Sequence, residues 1–181
     1  MINSLIVLLI CVMSSLPSLD PIIIFNFSTN ENKDGWYIMD DVVMGGRSEG
    51  DFEITESGVG LFSWNVSLKN YGGFSSIRYG FAPKDIEGYK ECVFKIKGDK
   101  KRYQLRFKSS MRDPHSYIQH FETSGEWEII TLKFADFYPS FRGRRLSTLN
   151  FPAELMCEMS FLIANKKEEA FNLQFEWMEL R

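Results

Sequence analysis

From Ile22 onward, hydrophobic positions recur every second residue. In Phe171-Asn172-Leu173-Gln174-Phe175-Glu176-Trp177, apolar side chains alternate strictly with polar ones, the signature of a strand with one buried face. Residues 93–97 and 102–108 behave alike. Phe94 and Ile96 oppose Lys95 and Lys97. Tyr103, Leu105 and Phe107 oppose Arg102, Gln104, Arg106 and Lys108. Gly98-Asp99-Lys100-Lys101 between them is turn chemistry and predicts a hairpin. Further strands are expected over residues 22–27, 36–39, 50–55, 60–67, 74–79, 117–121, 127–134 and 156–163. Helical periodicity is nearly absent, with one short candidate at 152–156 after Asn150. About ten short strands broken by Gly, Asn, Asp and Pro predict an all-β antiparallel sandwich or barrel with at most a short helix. No linker, repeat or low-complexity tract interrupts residues 19–181, which read as one domain.

The N-terminal 18 residues differ. Residues 5–13 form an unbroken apolar run, followed by Ser14, Ser15, Pro17 and Ser18. That is the length of a signal-peptide core and too short to span a bilayer. Cleavage after Ser14, Ser15 or Ser18 would export the chain to the periplasm or medium and leave no stable membrane span. A buried N-terminal strand or an uncleaved interfacial anchor is the alternative.

Composition narrows the function classes. At 44% hydrophobic, the 181 residues can build a core without metal or disulfide support. A net charge of −3 argues against a nucleic-acid partner, which needs a basic face. Two histidines and three cysteines leave little material for a zinc site, and no cofactor motif is present. Cys92 and Cys157 each sit in an apolar run and read as small core residues, although a bridge between them is possible in an exported chain. His115 and His120 have no nucleophile to pair with. No pair of carboxylates stands out for glycosidase chemistry, so an uncharacterised hydrolase is disfavoured. Three of the four tryptophans fall at strand positions and read as core.

Three segments carry more information. Asp40-Asp41 precedes a glycine pair, Gly45-Gly46. Two adjacent carboxylates could ligate calcium or, the commoner use, accept hydrogen bonds from nearby turn amides. A second glycine pair lies at Gly72-Gly73; such pairs permit positive φ or close backbone approach. Arg142-Gly143-Arg144-Arg145 follows Phe137, Tyr138 and Phe141. It suits a protein interface or a carboxylate-bearing ligand, or else a solvated loop.

Trp36-x-x-x-Asp40-Asp41-Val42-Val43-Met44-Gly45-Gly46-Arg47-Ser48 resembles the signature of the complex I intermediate-associated protein 30 family. So do Asn70-Tyr71-Gly72-Gly73-Phe74-Ser75-Ser76-Ile77-Arg78, Gly98 to Tyr103, and Phe137-x-Pro139-x-Phe141-Arg142-Gly143-Arg144. The resemblance runs from about residue 22 to 180. It implies a jelly roll similar to galactose-binding domains and a non-enzymatic binding domain of the assembly-factor or chaperone type. The partner would be an unfolded protein or an assembly intermediate of respiratory complex I. A carbohydrate-binding-module-like glycan binder of the envelope or medium is the alternative. Mitochondrial targeting segments are Arg-rich and residues 1–18 hold no Arg, so the leader points to export rather than to mitochondria. The family-like positions that a plain β-core leaves unexplained are Asp40, Asp41, Arg47, Gly72, Gly73, Arg78, Arg142 and Arg144. They are expected to form or support one surface, or to pair with each other and lock the loops.

Overall fold

A computed structural model describes residues 19–30 and 32–181; the leader at 1–18 lies outside the described residues. Thirteen strands follow one another: β1 (Ile22–Asn26), β2 (Trp36–Ile38), β3 (Glu49–Ile54), β4 (Gly60–Val66), β5 (Ser75–Asp85), β6 (Glu91–Lys97), β7 (Arg102–Lys108), β8 (Ser116–Glu122), β9 (Glu128–Lys133), β10 (Tyr138–Phe141), β11 (Arg144–Arg145), β12 (Leu155–Ile163) and β13 (Glu169–Leu180). One sheet runs β3-β4-β13-β6-β9, with β1 added to β13 beyond the end of β4. The other runs β11-β10-β8-β7-β12-β5-β2. All pairings are antiparallel.

The alternation decides which side chains meet between the sheets. Tyr103, Leu105 and Phe107 of β7 face Phe94 and Ile96 of β6 across a core in which phenylalanine is the commonest residue. Trp36 stacks on Tyr79 at 4.7 Å and on Phe52 at 5.2 Å, joining the sheets at one end. Along β13 the inward set is Phe171, Leu173 and Phe175, then Met178 and Leu180. A register shift between Phe175 and Trp177 is a bulge, and a bulge reverses the phase of every later side chain. Trp177 therefore leaves the inward face that strict alternation assigns to it.

The expected hairpin between 93–97 and 102–108 is not formed. β6 pairs with β13 and β9 in one sheet, while β7 pairs with β12 and β8 in the other. Gly98 to Lys101 is an arch across the sandwich edge. Asp99 pins it to both sheets, accepting hydrogen bonds from the Tyr103 hydroxyl at 2.7 Å and the Asn172 amide at 3.0 Å. Gly98 packs so closely on Thr123 that a side chain there would collide with it. The same turn residues suit a hairpin or an arch, and alternation is blind to the choice.

Two other expectations fail locally. No helix forms at 152–156. Asn150 donates to the Ala135 carbonyl at 2.7 Å instead of capping a helix, and the Phe151 amide bonds the Phe137 carbonyl at 2.9 Å. These long-range bonds, with Ala153 in left-handed backbone at a φ of 54°, lead the chain into β12 without a helical turn. Single 3-10 turns at Asp41–Met44, Lys69–Tyr71 and Phe134–Asp136 are the only helical pieces among the described residues. Core placement also fails for two tryptophans: Trp64 is 51% exposed and Trp127 39%. Trp64 lies at a φ of 136° and donates its indole N–H to Glu49 at 3.1 Å. Cys92 and Cys157 are buried free thiols, one in each sheet.

Candidate functional site

The turn at Asp41–Met44 brings the Asp41 carboxylate, fully buried, into the end of the sandwich. It accepts hydrogen bonds from the Ser48 amide at 2.9 Å, the Gly73 amide at 2.6 Å, the Phe74 amide at 3.1 Å, and the Ser48 hydroxyl. Burial pushes its pKa up, but these bonds outweigh burial and hold it below the ordinary value. Both glycine pairs serve this carboxylate, and each divides two roles. Gly45 (φ 90°) and Gly73 (φ 137°) take left-handed backbone. Gly46 and Gly72 instead approach Asp41 so closely that no Cβ fits. Asp40 does different work. It accepts from the Gly50 amide at 2.8 Å and from the Ser75 hydroxyl, linking β3 of one sheet to β5 of the other. Burial raises its pKa above the ordinary value. The pair is thus spent on amides and hydroxyls, the turn-holding use of aspartate.

What this clasp positions is one wall of a groove of about 1020 Å³ on the outer face of the β2-to-β11 sheet. Strand register builds the floor. Tyr37, Arg78, Ser160, Arg106, Ile118 and Tyr138 pair in sequence across six strands and share one face. The small Ser160 stands between Arg78 and Arg106. Along β7, Arg102, Gln104, Arg106 and Lys108 all line the groove. Gly72, Gly73 and Phe74 form part of one wall, and Arg142 and Gly143, at the tip of the β10–β11 hairpin, lie on another. Among the described residues, six Lys or Arg line the groove and no Asp or Glu does.

These cations are poorly compensated. Arg78 reaches Glu158 at only 3.5 Å, and its Nε is buried without a hydrogen-bond partner. Glu158, 2% exposed, takes a shorter bond of 2.6 Å from the Tyr37 hydroxyl. Burial, helped by that bond, pushes the Tyr37 phenol up to about 12, which keeps it a donor. Arg106 gives two hydrogen bonds to the neutral Gln104 amide, at 3.0 and 2.6 Å. Burial, then the charge of Arg78, lowers its pKa to about 10; it remains cationic at neutral pH, against both influences. His120 is likewise lowered, by burial and then by Arg102 and Arg106. At the rim, the Arg145 guanidinium lies 4.5 Å over the Tyr138 ring.

A family model for complex I intermediate-associated protein 30 matches residues 25–175, most of the described chain. The chain belongs to this family. The mitochondrial complex I intermediate-associated protein 30 of Drosophila melanogaster is 24% identical over 183 residues. That alignment covers 87% of this chain and 62% of the fly protein, so the chain spans less than two thirds of that relative. Among solved structures, a family 11 carbohydrate-binding module from Clostridium thermocellum, in complex with a β-1,3-1,4-mixed-linked tetrasaccharide, superimposes with a TM-score of 0.60 at 15% identity. It matches 91% of this chain and 96% of the module. The family 11 module of cellulase Lic26A-Cel5E from the same organism gives 0.63 at 14%, over 91% and 95% of the two chains. At these identities the likeness is one of fold, a galactose-binding-like jelly roll.

In this member of the complex I intermediate-associated protein 30 family, the motif residues divide. Gly72, Gly73, Arg78 and Arg142 meet at the groove. Asp41 stands behind its wall, and Asp40 ties the sheets. Arg47 and Arg144 are exposed and do not line it. Sequence reasoning missed Arg102, Arg106, Lys108, His120 and Tyr138 as groove residues. The available signal was three cations on the outward face of β7, which the alternation displays.

Proposed function

We propose that this chain is a non-catalytic binding domain acting in respiratory complex I assembly, and that it holds a protein partner in the groove of its second sheet. One observation carries the reading: family-like segments far apart in sequence, at 72–74, 78 and 142–143, converge on a single groove. Membership of the complex I intermediate-associated protein 30 family supports the assembly role. The chemistry of the groove is that of recognition. Its floor offers fixed donors and charge, while the side-chain hydrogen-bond partner of His120 is the Tyr138 hydroxyl at 3.5 Å. That pair is no nucleophile and base.

Affinity capture with the full chain from membranes of its own host tests this. Enrichment of complex I subunits over an unrelated β-sandwich bait is the expected result. No enriched subunit, together with retention of the chain on mixed-linkage β-glucan, would overturn the reading in favour of glycan binding. The glycan reading has one local observation in its favour, aromatic rings (Phe74, Tyr138 and Phe141) that line the groove together with polar Gln104 and Ser116. Arg145 over the Tyr138 ring and Arg142 over the Phe141 ring count against it.

A further inference from the structure

We propose that the groove floor is a carboxylate-binding track that takes an extended, acidic segment of a partner polypeptide, with Arg78 and Arg106 as its central anchors. This deepens the protein-binding reading above and rests on it. The track lies on a chain of net charge −3, yet its lining carries six cations and no acid. Such a charge pattern selects an anion.

Geometry narrows the anion to one with repeated carboxylates. Arg102, Gln104, Arg106 and Lys108 project at every second residue of one strand, a spacing of about 7 Å. Alternate side chains of an extended peptide repeat at the same spacing, so carboxylates at every second position stay in step with β7. Across the sheet, Arg78 stands two strands from Arg106, about 10 Å away, with the short, buried side chain of Ser160 between them. One donor here is unfilled, and one cation has no carboxylate partner among the described residues. The Arg78 Nε–H is buried and unpartnered, and Arg106 is held only by a neutral amide. Guanidinium groups bind carboxylates through paired donors, and a desolvated site strengthens each such bond.

Carbohydrate fits less well. The exposed tryptophans, Trp64 and Trp127, belong to the other sheet or its flank. Of the rings that line the groove, Phe74, Tyr138 and Phe141, two lie under guanidinium groups, Tyr138 under Arg145 at 4.5 Å and Phe141 under Arg142 at 5.3 Å.

The test is binding of a fluorescein-labelled octapeptide of alternating Glu and Thr to the full chain, read by polarisation at low and high salt. Alternating Gln-Thr and Lys-Thr peptides, polygalacturonate and mixed-linkage β-glucan are the comparison ligands. Saturable binding of the Glu-Thr peptide is expected, weakened by salt. Arg78→Gln and Arg106→Gln should each weaken it about ten-fold, the loss of one charge-assisted hydrogen bond. Arg102→Gln, at an exposed position, should weaken it without touching the packing, which keeps the test valid if a floor variant fails to fold. Lys133→Gln on β9 of the opposite sheet should leave it unchanged. Equal binding of the Gln-Thr peptide, or indifference to Arg102→Gln, would overturn the proposal. So would binding of polygalacturonate in place of the peptide. Complex I subunits captured equally by wild type and by the Arg78→Gln/Arg102→Gln double variant would sink this track while leaving the assembly role intact.

Discussion

Replacing Asp41 by Ala is expected to destabilise the fold far more than its place in a surface turn implies. The carboxylate is fully buried and accepts four hydrogen bonds from two separate loops. Alanine would orphan three backbone N–H groups and one hydroxyl. Each orphaned buried donor costs about 1–3 kcal/mol, less where water enters the vacated volume, so a net loss of about 3–5 kcal/mol follows. For a domain of this size each kcal/mol lowers Tm by about 2–4 °C, giving a fall on the order of 10 °C. Asp40→Ala removes only two bonds, those from Gly50 and Ser75, and should cost about 1–2 kcal/mol. Asp41→Asn keeps the shape but places an N–H₂ against donors, so it should fall near the alanine variant. Thermal unfolding by circular dichroism at pH 7, with urea midpoints as a second measure, decides the matter. A Tm for Asp41→Ala within about 2 °C of wild type, or a larger loss for Asp40→Ala, would refute the clasp.

The other predictions concern the same carboxylate. Gly46→Ala should displace it and cost several kcal/mol, because the added Cβ collides with Asp41. Gly45→Ala, in open space at a φ of 90°, should cost only about 1–2 kcal/mol through backbone strain; equal Tm values for the two variants would refute the division of labour. Asp41 is held below its ordinary pKa in the folded chain, so between the two values the unfolded chain binds more protons and stability rises with pH. Its contribution should be complete above about pH 4 and vanish as pH falls through the lower folded value. Wild type should therefore lose more Tm between pH 5 and about pH 2 than Asp41→Asn, and parallel curves would count against it.

The fold was legible wherever one side chain's face could be read from its neighbours. β7 and most of β13 follow from alternation alone, as does the all-β class. Failures came where a long-range contact decides. Gly98 to Lys101 could close a hairpin or cross between sheets, and the deciding groups are Thr123 and Asn172, far along the chain. At 152–156 the competing partners are the Ala135 and Phe137 carbonyls. The bulge before Trp177 leaves one mark, the adjacent apolar pair Trp177-Met178 that starts an alternation of opposite phase, but its position is set by pairing with β6. β10 and β11 were hidden because a short, basic hairpin and a solvated loop share one composition.

The site was half legible for a related reason. Two glycine pairs and two aspartates announce tight backbone, and the structure makes them one device, a buried carboxylate gripping two loops. The groove floor could not be announced in that way. Arg78, Ser160 and Arg106 lie in three strands spread over about half of the domain's sequence, and only register sets them in a row. Clasp and floor are also separable in energy. The clasp consists of satisfied hydrogen bonds whose loss appears as unfolding. The floor holds an unpartnered Nε and a guanidinium whose charge burial opposes. Each leaves a donor or a charge unanswered within the fold, and a carboxylate ligand would answer both. A residue pattern rich in glycine and aspartate therefore identifies the frame, while the cations that choose the partner lie mostly outside it.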